Sequence, residues 1–207
     1  MIQKRVINTG DRPMTATTYS DPSSVTAEPT LAVCAGRVMT LAGSVFAAAN
    51  LFQFGVYSGL LHLHPATLSL SWPIALAVFF TVLARLRASG GANVRRVALW
   101  SRMAIGAQIL IALALLGLSV IRHDFTLMYW TSPVGLAIYG LAWMTATVRG
   151  GRGWMIAPSL GAFISAGVVI SLLGTAPAYL AYACGLIAFV LIPGLWLMLG
   201  HTLGREA

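Results

Sequence analysis

The sequence predicts an all-α polytopic membrane protein, a bundle of six transmembrane helices arranged as three αα-hairpins. Three observations carry that expectation. Of the 207 residues, 58% are hydrophobic and only 9% are charged, where a soluble domain carries about 25% charged residues. The mean hydropathy is +0.83, and the apolar residues fall in uncharged runs of roughly the 20 residues that cross a bilayer at 1.5 Å rise each. The basic residues sit in the short segments between those runs. A very apolar soluble core would not repeat runs of that length.

The basic segment from Arg85 to Arg96 (Arg85, Arg87, Arg95 and Arg96, with Gly90-Gly91 between) lies between two such runs. By the positive-inside rule it marks the cytoplasmic side, and the side of every other segment follows from it. Residues 1–30 are polar and rich in Thr, Ser and Pro. They bury too little apolar surface to offset their ordering entropy, so a disordered cytoplasmic tail is expected there. The apolar stretch begins too late for a secretory signal, and no cleavage pattern follows it. The six-helix domain is expected over 31–201, and a short cytoplasmic tail over 202–207.

The first span is expected at about 37–61. Its inner half is small (Gly36, Ala42, Gly43, Ala47, Ala48, Ala49), which lets helix backbones approach closely in lipid. Asn50 and Gln53 fall mid-span and need hydrogen-bond partners on a neighbouring helix. An outer loop follows with His62, His64 and Pro65. The second span is expected at 68–83 and the third at 97–121. Arg102 lies one turn inside the third and can snorkel to the interface. Gln108 lies deeper.

After Arg122, His123, Asp124 and Phe125, the fourth span is expected at 127–148, ending at Arg149 and Arg152. The fifth, at 154–173, carries Gly161 with Ser165 and Ala162 with Ala166 as small-xxx-small pairs. A tight turn at Gly174 and Thr175 leads to the sixth, at 177–199. Pro193 inside it has no N–H for the Phe189 carbonyl and should kink the helix.

Each inward-running helix opens alike: Ser71-Trp72-Pro73, Thr131-Ser132-Pro133 and Thr175-Ala176-Pro177. The hydroxyl can cap and the proline suits a first turn, where its missing N–H would be unpaired anyway. The pattern fits a threefold repeat of hairpins, and it is also common helix-start chemistry.

With both termini inside, the cytoplasmic side takes Lys4, Arg5, Arg12, Arg37, Arg85, Arg87, Arg95, Arg96, Arg102, Arg149, Arg152 and Arg205. Arg122 alone falls outside, beside Asp124. The net charge of +8 is thereby explained by threading, with attraction to anionic headgroups as a side effect. No basic stretch is interleaved with aromatics, so no nucleic-acid partner is expected. Tyr57, Trp72, Tyr129, Trp130 and Tyr179 mark the outer interface, and Trp100, Trp154 and Trp196 the inner one. Cys34 and Cys184 fall in opposite halves of the bilayer, too far apart for a disulfide.

The acids are Asp11, Asp21, Glu28, Asp124 and Glu206, and none lies in a span. The chain carries no phosphate-binding loop, dinucleotide fingerprint or thiol pair. No lysine lies in a span, which excludes a retinal Schiff base. No enzyme and no cofactor are expected. The expected function is that of a non-enzymatic accessory, assembly or regulatory subunit in a bacterial-type inner membrane. Its expected partners are the lipid bilayer and a membrane-protein partner or further copies of the chain. The alternative is a small oligomeric permease or channel, with Asn50, Gln53, Gln108 and the Pro193 kink along its path. A third reading places a metal or haem on His62, His64 and His123, although residues at i and i+2 do not share a helix face.

Overall fold

Thr30 starts the first helix: its hydroxyl accepts from the Val33 N–H at 3.3 Å and pairs one of the amides a helix N-terminus leaves open. The computed structural model describes residues 30–88, 91–149 and 153–199. Apart from Thr30, the expected tails at 1–30 and 202–207 lie outside the described residues, and so does Arg152. Six helices follow: α1 Leu31–Tyr57, α2 Leu68–Ala88, α3 Ala92–Arg122, α4 Thr131–Val148, α5 Ile156–Ser171 and α6 Ala176–Met198. Short 3-10 turns at Pro65–Thr67, Phe125–Trp130 and Gly153–Met155 lead into α2, α4 and α5. There is no strand among the described residues.

Five of the helices are long and apolar enough to cross a membrane: α1, α2, α3, α5 with its leading turn, and α6. The sequence reading expects six. The exception is α4, an 18-residue helix that spends much of its length on Thr131, Ser132, Pro133, Tyr139, Thr145 and Thr147.

The tightest pairings are α1 with α6 and α4 with α5, not the hairpins of sequence neighbours alone. Glycine explains the first. A Cβ on Gly43 would stand 2.8 Å from the Leu191 backbone nitrogen, and one on Gly194 would stand 2.7 Å from the Thr40 nitrogen. Gly36 meets the backbone of Gly194 and Met198 more closely still. As α1 runs from 36 to 43 its partner runs from 198 to 191, so the two helices are antiparallel. The Tyr57 and Tyr179 rings, 5.4 Å apart, mark the far end of the same pair. The small inner half of α1 is thus a backbone-to-backbone seam, with Ala42 and Ala47 buried beside it.

The apolar core lies between α1, α2 and α6 and extends to α4 and α5. Phe46 stacks on Phe79 at 5.5 Å and tilts against Trp72 at 5.8 Å. Leu136, Val169, Leu186 and Val190 complete it. The small face of α5 is also used: the Phe189 ring covers Gly161, and Ala162 is buried. Ser165 stands 3.0 Å from where a Cβ on Gly185 would be.

The shared Ser/Thr-x-Pro openings do not cap their helices. All three hydroxyls donate backwards instead, to the carbonyl three residues earlier: Ser71 to Leu68 at 2.8 Å, Thr131 to Met128 at 2.7 Å and Thr175 to Leu172 at 2.6 Å. The proline is in the first turn at Pro177, whereas α2 begins at Leu68, which leaves Pro73 inside it. A hydroxyl set directly over the carbonyl at i−3 finds that acceptor before it finds an amide ahead.

Pro193 produces a local change of helical pitch. The five residues Ile187–Leu191 form a π turn, and the Ile192 N–H reaches back to Ile187. Such a turn absorbs one extra residue within an otherwise α-helical rod.

Candidate functional site

The mid-helix amides are the most costly groups to bury in an apolar bundle, so each must find a partner. Asn50 is fully buried on α1, and its Nδ2 donates to the Phe46 carbonyl one turn earlier at 2.8 Å. Gln53, one turn further, reaches across to α2, where its Nε2 donates to Ser71 Oγ at 2.8 Å. The Ser71 hydroxyl in turn donates to the Leu68 carbonyl, so the amide, the hydroxyl and the carbonyl form one chain. Gln108 joins α3 to α4, its Nε2 donating to the Thr131 carbonyl at 2.8 Å.

Each amide nitrogen is therefore satisfied, while the amide oxygens are not. Asn50 Oδ1, Gln53 Oε1 and Gln108 Oε1 are buried without a protein hydrogen-bond partner. Three acceptors of one type, each held by a bond through its nitrogen, can take a hydrogen bond from a donor that enters the bundle. Thr40 Oγ1 and Ser119 Oγ are buried and unpaired in the same way.

The Gln108 contact has a neighbour that the sequence does not announce. Tyr182 on α6 places its hydroxyl 2.5 Å from where a Cβ on Gly135 would sit, and Gln108 Nε2 is 3.6 Å from that same point. Gly135 is thus the gap in α4 that admits the tyrosine. A buried tyrosine in an otherwise apolar run is the sequence signal for such a contact, because its hydroxyl needs company.

Another unannounced partner lies on α4. Trp143 Nε1 donates to the Phe189 carbonyl at 3.1 Å, the group that Pro193 leaves without its helical donor. Trp143 meets Trp154 edge-on at 5.7 Å. Nearby, Ser159 donates to the Gly140 carbonyl at 2.8 Å, and the Phe163 ring stands 2.9 Å from where a Cβ on Gly140 would be. The glycine and the hydroxyl together bring α4 and α5 into contact.

At the opposite end of the bundle from the Arg85 and Arg149 helix termini, His62 and His64 are exposed in a segment without regular secondary structure. His64 Nδ1 accepts from the Ala66 N–H at 3.2 Å, and its carbonyl accepts from Thr67. His123 ends α3 in a left-handed conformation, φ 52°. Among the described residues, no three His, Cys, Asp or Glu side chains gather as a metal would require. Cys34 is buried and Cys184 exposed, and neither is in a disulfide. Asp124 is turned to its own chain: Oδ1 accepts from the Thr126 N–H at 2.9 Å and from Thr126 Oγ1 at 2.6 Å. Those bonds, with the hydroxyl first, hold its carboxyl below the usual carboxylate value.

The described arginines are segregated. Arg37, Arg85, Arg87, Arg95, Arg96, Arg102 and Arg149 share one end of the bundle, where Arg149 lies over the Trp100 ring at 5.6 Å. Arg122 is at the other. Compared with known protein families, with characterised proteins and with solved structures, the chain matches none.

Proposed function

We propose that this chain is a non-enzymatic polytopic membrane protein that acts as an accessory, assembly or regulatory subunit through a lateral helix contact made by α3. It sits in an inner membrane of bacterial type, with all six helices crossing and the arginine-rich end, with both termini, in the cytoplasm. The charge segregation supports this orientation.

The observation that carries the reading is the outward face of α3. Beyond its arginine-bearing start, this helix holds the most apolar 18-residue stretch of the five long ones, and the least buried. Leu99, Met103, Gly106, Leu110, Leu113, Gly117 and Val120 alternate steps of four and three residues along it. That is the spacing of a seam between two helices crossing at about 20°. The five larger side chains of the set are 54–69% exposed, and Gly106 and Gly117 have nothing within 4 Å of a would-be Cβ. Lipid requires only apolar side chains, whereas open glycines on such a face let the backbone of a partner helix come close.

Photo-crosslinking in native membranes tests this. A crosslinker at Leu110 should give a discrete protein adduct that Gly106→Leu abolishes, and one at Leu160 on α5 should give none. Lipid adducts alone at both positions would defeat the reading.

A second reading, a small permease or channel, is favoured by the three buried amide oxygens of Asn50, Gln53 and Gln108. Flux through proteoliposomes that falls in Gln108→Leu would support it. Solute-tight proteoliposomes would dismiss it.

A further inference from the structure

We infer that the cleft between the arginine-bearing ends of α2 and α3 binds the phosphate headgroup of an anionic phospholipid. The cleft measures about 500 Å³ and has two kinds of wall. Arg87 from α2 and Arg95 and Arg102 from α3 supply one. Phe80, Leu83, Ala84 and Ala98 supply the other. A second hollow of about 420 Å³ lies on the same three arginines and adds Arg96.

Arg95 and Arg102 are two helical turns apart, about 10.5 Å along one face of α3. Ala98 stands between them, buried and too small to fill the space. Arg87 approaches from the other helix. Guanidinium groups set around one space repel each other unless an anion joins them. Among the described residues the only acid is Asp124, at the opposite end of the bundle and bonded to Thr126. No described residue therefore neutralises this cluster. The α3 N-terminus adds positive partial charge at the same edge, offset by the negative C-terminus of α2 beside it, so the arginines carry the field.

The geometry also favours a phospholipid over a soluble phosphate. Arginine matches phosphate through paired N–H donors, and a free phosphate would be served by the arginines alone. The apolar wall runs from that rim along Phe80 and Leu83 towards the middle of the helices, where an acyl chain lies. Trp100, beneath Arg149 at the same end, is placed where an interfacial tryptophan belongs. The inference rests on the membrane-embedded reading above.

The test uses the full chain purified in detergent, with lipid adducts read by native mass spectrometry. Phosphatidylglycerol should bind about tenfold more tightly than phosphatidylcholine. The triple variant R87Q/R95Q/R102Q should bring the two within about twofold, and Arg95→Gln alone should lower the preference partway. Removing like charges should not unfold the bundle, and the single variant reads the effect if the triple variant is lost. A charge-matched variant, R37Q/R122Q/R149Q, should keep the preference. Equal binding of both lipids overturns the proposal, as does equal loss in the charge-matched variant, which would indicate a diffuse field. Displacement of the lipid by millimolar inorganic phosphate would assign the site to a soluble anion and also overturns it. Failure of the membrane reading itself is distinct: the chain would then stay monodisperse without detergent, before any lipid is added.

Discussion

Trp143 and Phe189, on different helices, close one gap in the backbone: the indole N–H of the first donates to the carbonyl of the second at 3.1 Å. Pro193 cannot supply the donor at i+4, and α4 does so instead. Trp143→Phe keeps an aromatic ring but removes the N–H, and with it the bond, together with the pyrrole part of the indole, whose lost volume adds to the cost. It should destabilise the fold by about 1–3 kcal/mol, the cost of orphaning a buried acceptor. In a Pro193→Ala background, where an N–H returns to the helix, the same change should cost markedly less. Unfolding in mixed micelles of all four forms measures the coupling, and purely additive effects would count against the compensation.

The seam of α1 and α6 should tolerate no added carbon. Gly43→Ala and Gly194→Ala each put a methyl group within 3 Å of backbone, and overpacking of this kind costs about 1–3 kcal/mol. Gly106→Ala and Gly117→Ala on α3 meet open space and should leave thermal stability in detergent unchanged, or raise it slightly through helix propensity. Similar losses at all four positions would mean that helix flexibility, not the seam, is what the glycines supply.

Threading is open to a direct check. Moving an arginine to the bilayer centre costs about 2.5 kcal/mol or more on insertion scales, so the loaded end should stay inside. With Cys34 and Cys184 removed, a cysteine at Ala88 should be shielded from an impermeant thiol reagent in intact cells, and one at Thr126 should react. Both positions are exposed at the bundle ends. The reverse labelling pattern would invert every assignment of side made above.

Asp124 carries the predicted pH dependence outside the helices. Its carboxyl is held low by Thr126, so its contribution is present above the unfolded carboxylate value. It is lost as pH falls through the lower folded value. Thr126→Val removes the hydroxyl bond and leaves the backbone one. The Asp124 titration, followed by carboxyl NMR, should move up towards the ordinary 3.9 or so. An unchanged titration would show that the hydroxyl does not set it.

Six helices stand where hydropathy places them, although only five, all but α4, are long and apolar enough to cross a membrane. The helix ends were less legible: α3 continues from Val97 back to Ala92, since arginine is a good helix former and its charge can reach water from the first turns. Which helices pair was hidden. The close pairs depend on a glycine meeting a backbone far away in sequence, as Gly36 meets Met198, and no local pattern encodes that. Asn50, Gln53 and Gln108 stand out as polar residues in apolar runs, whereas nothing local singles out Trp143 or Tyr182. The arginines at positions 87, 95 and 102 read as topology signals. Their convergence on one cleft needed the approach of two helices.

The α1–α6 seam has a consequence for biogenesis. A ribosome releases α1 well before α6, so on the membrane reading proposed above Gly36 and Gly43 insert with their closest partner not yet made. Until Leu191, Gly194 and Met198 arrive, that groove faces lipid or an insertion factor, and α2 to α5 assemble around an open first helix. Closing the bundle then joins two ends of a long loop, a slow step compared with forming neighbouring hairpins. A pause or a premature stop before Ala176 would leave the α1 groove unsealed.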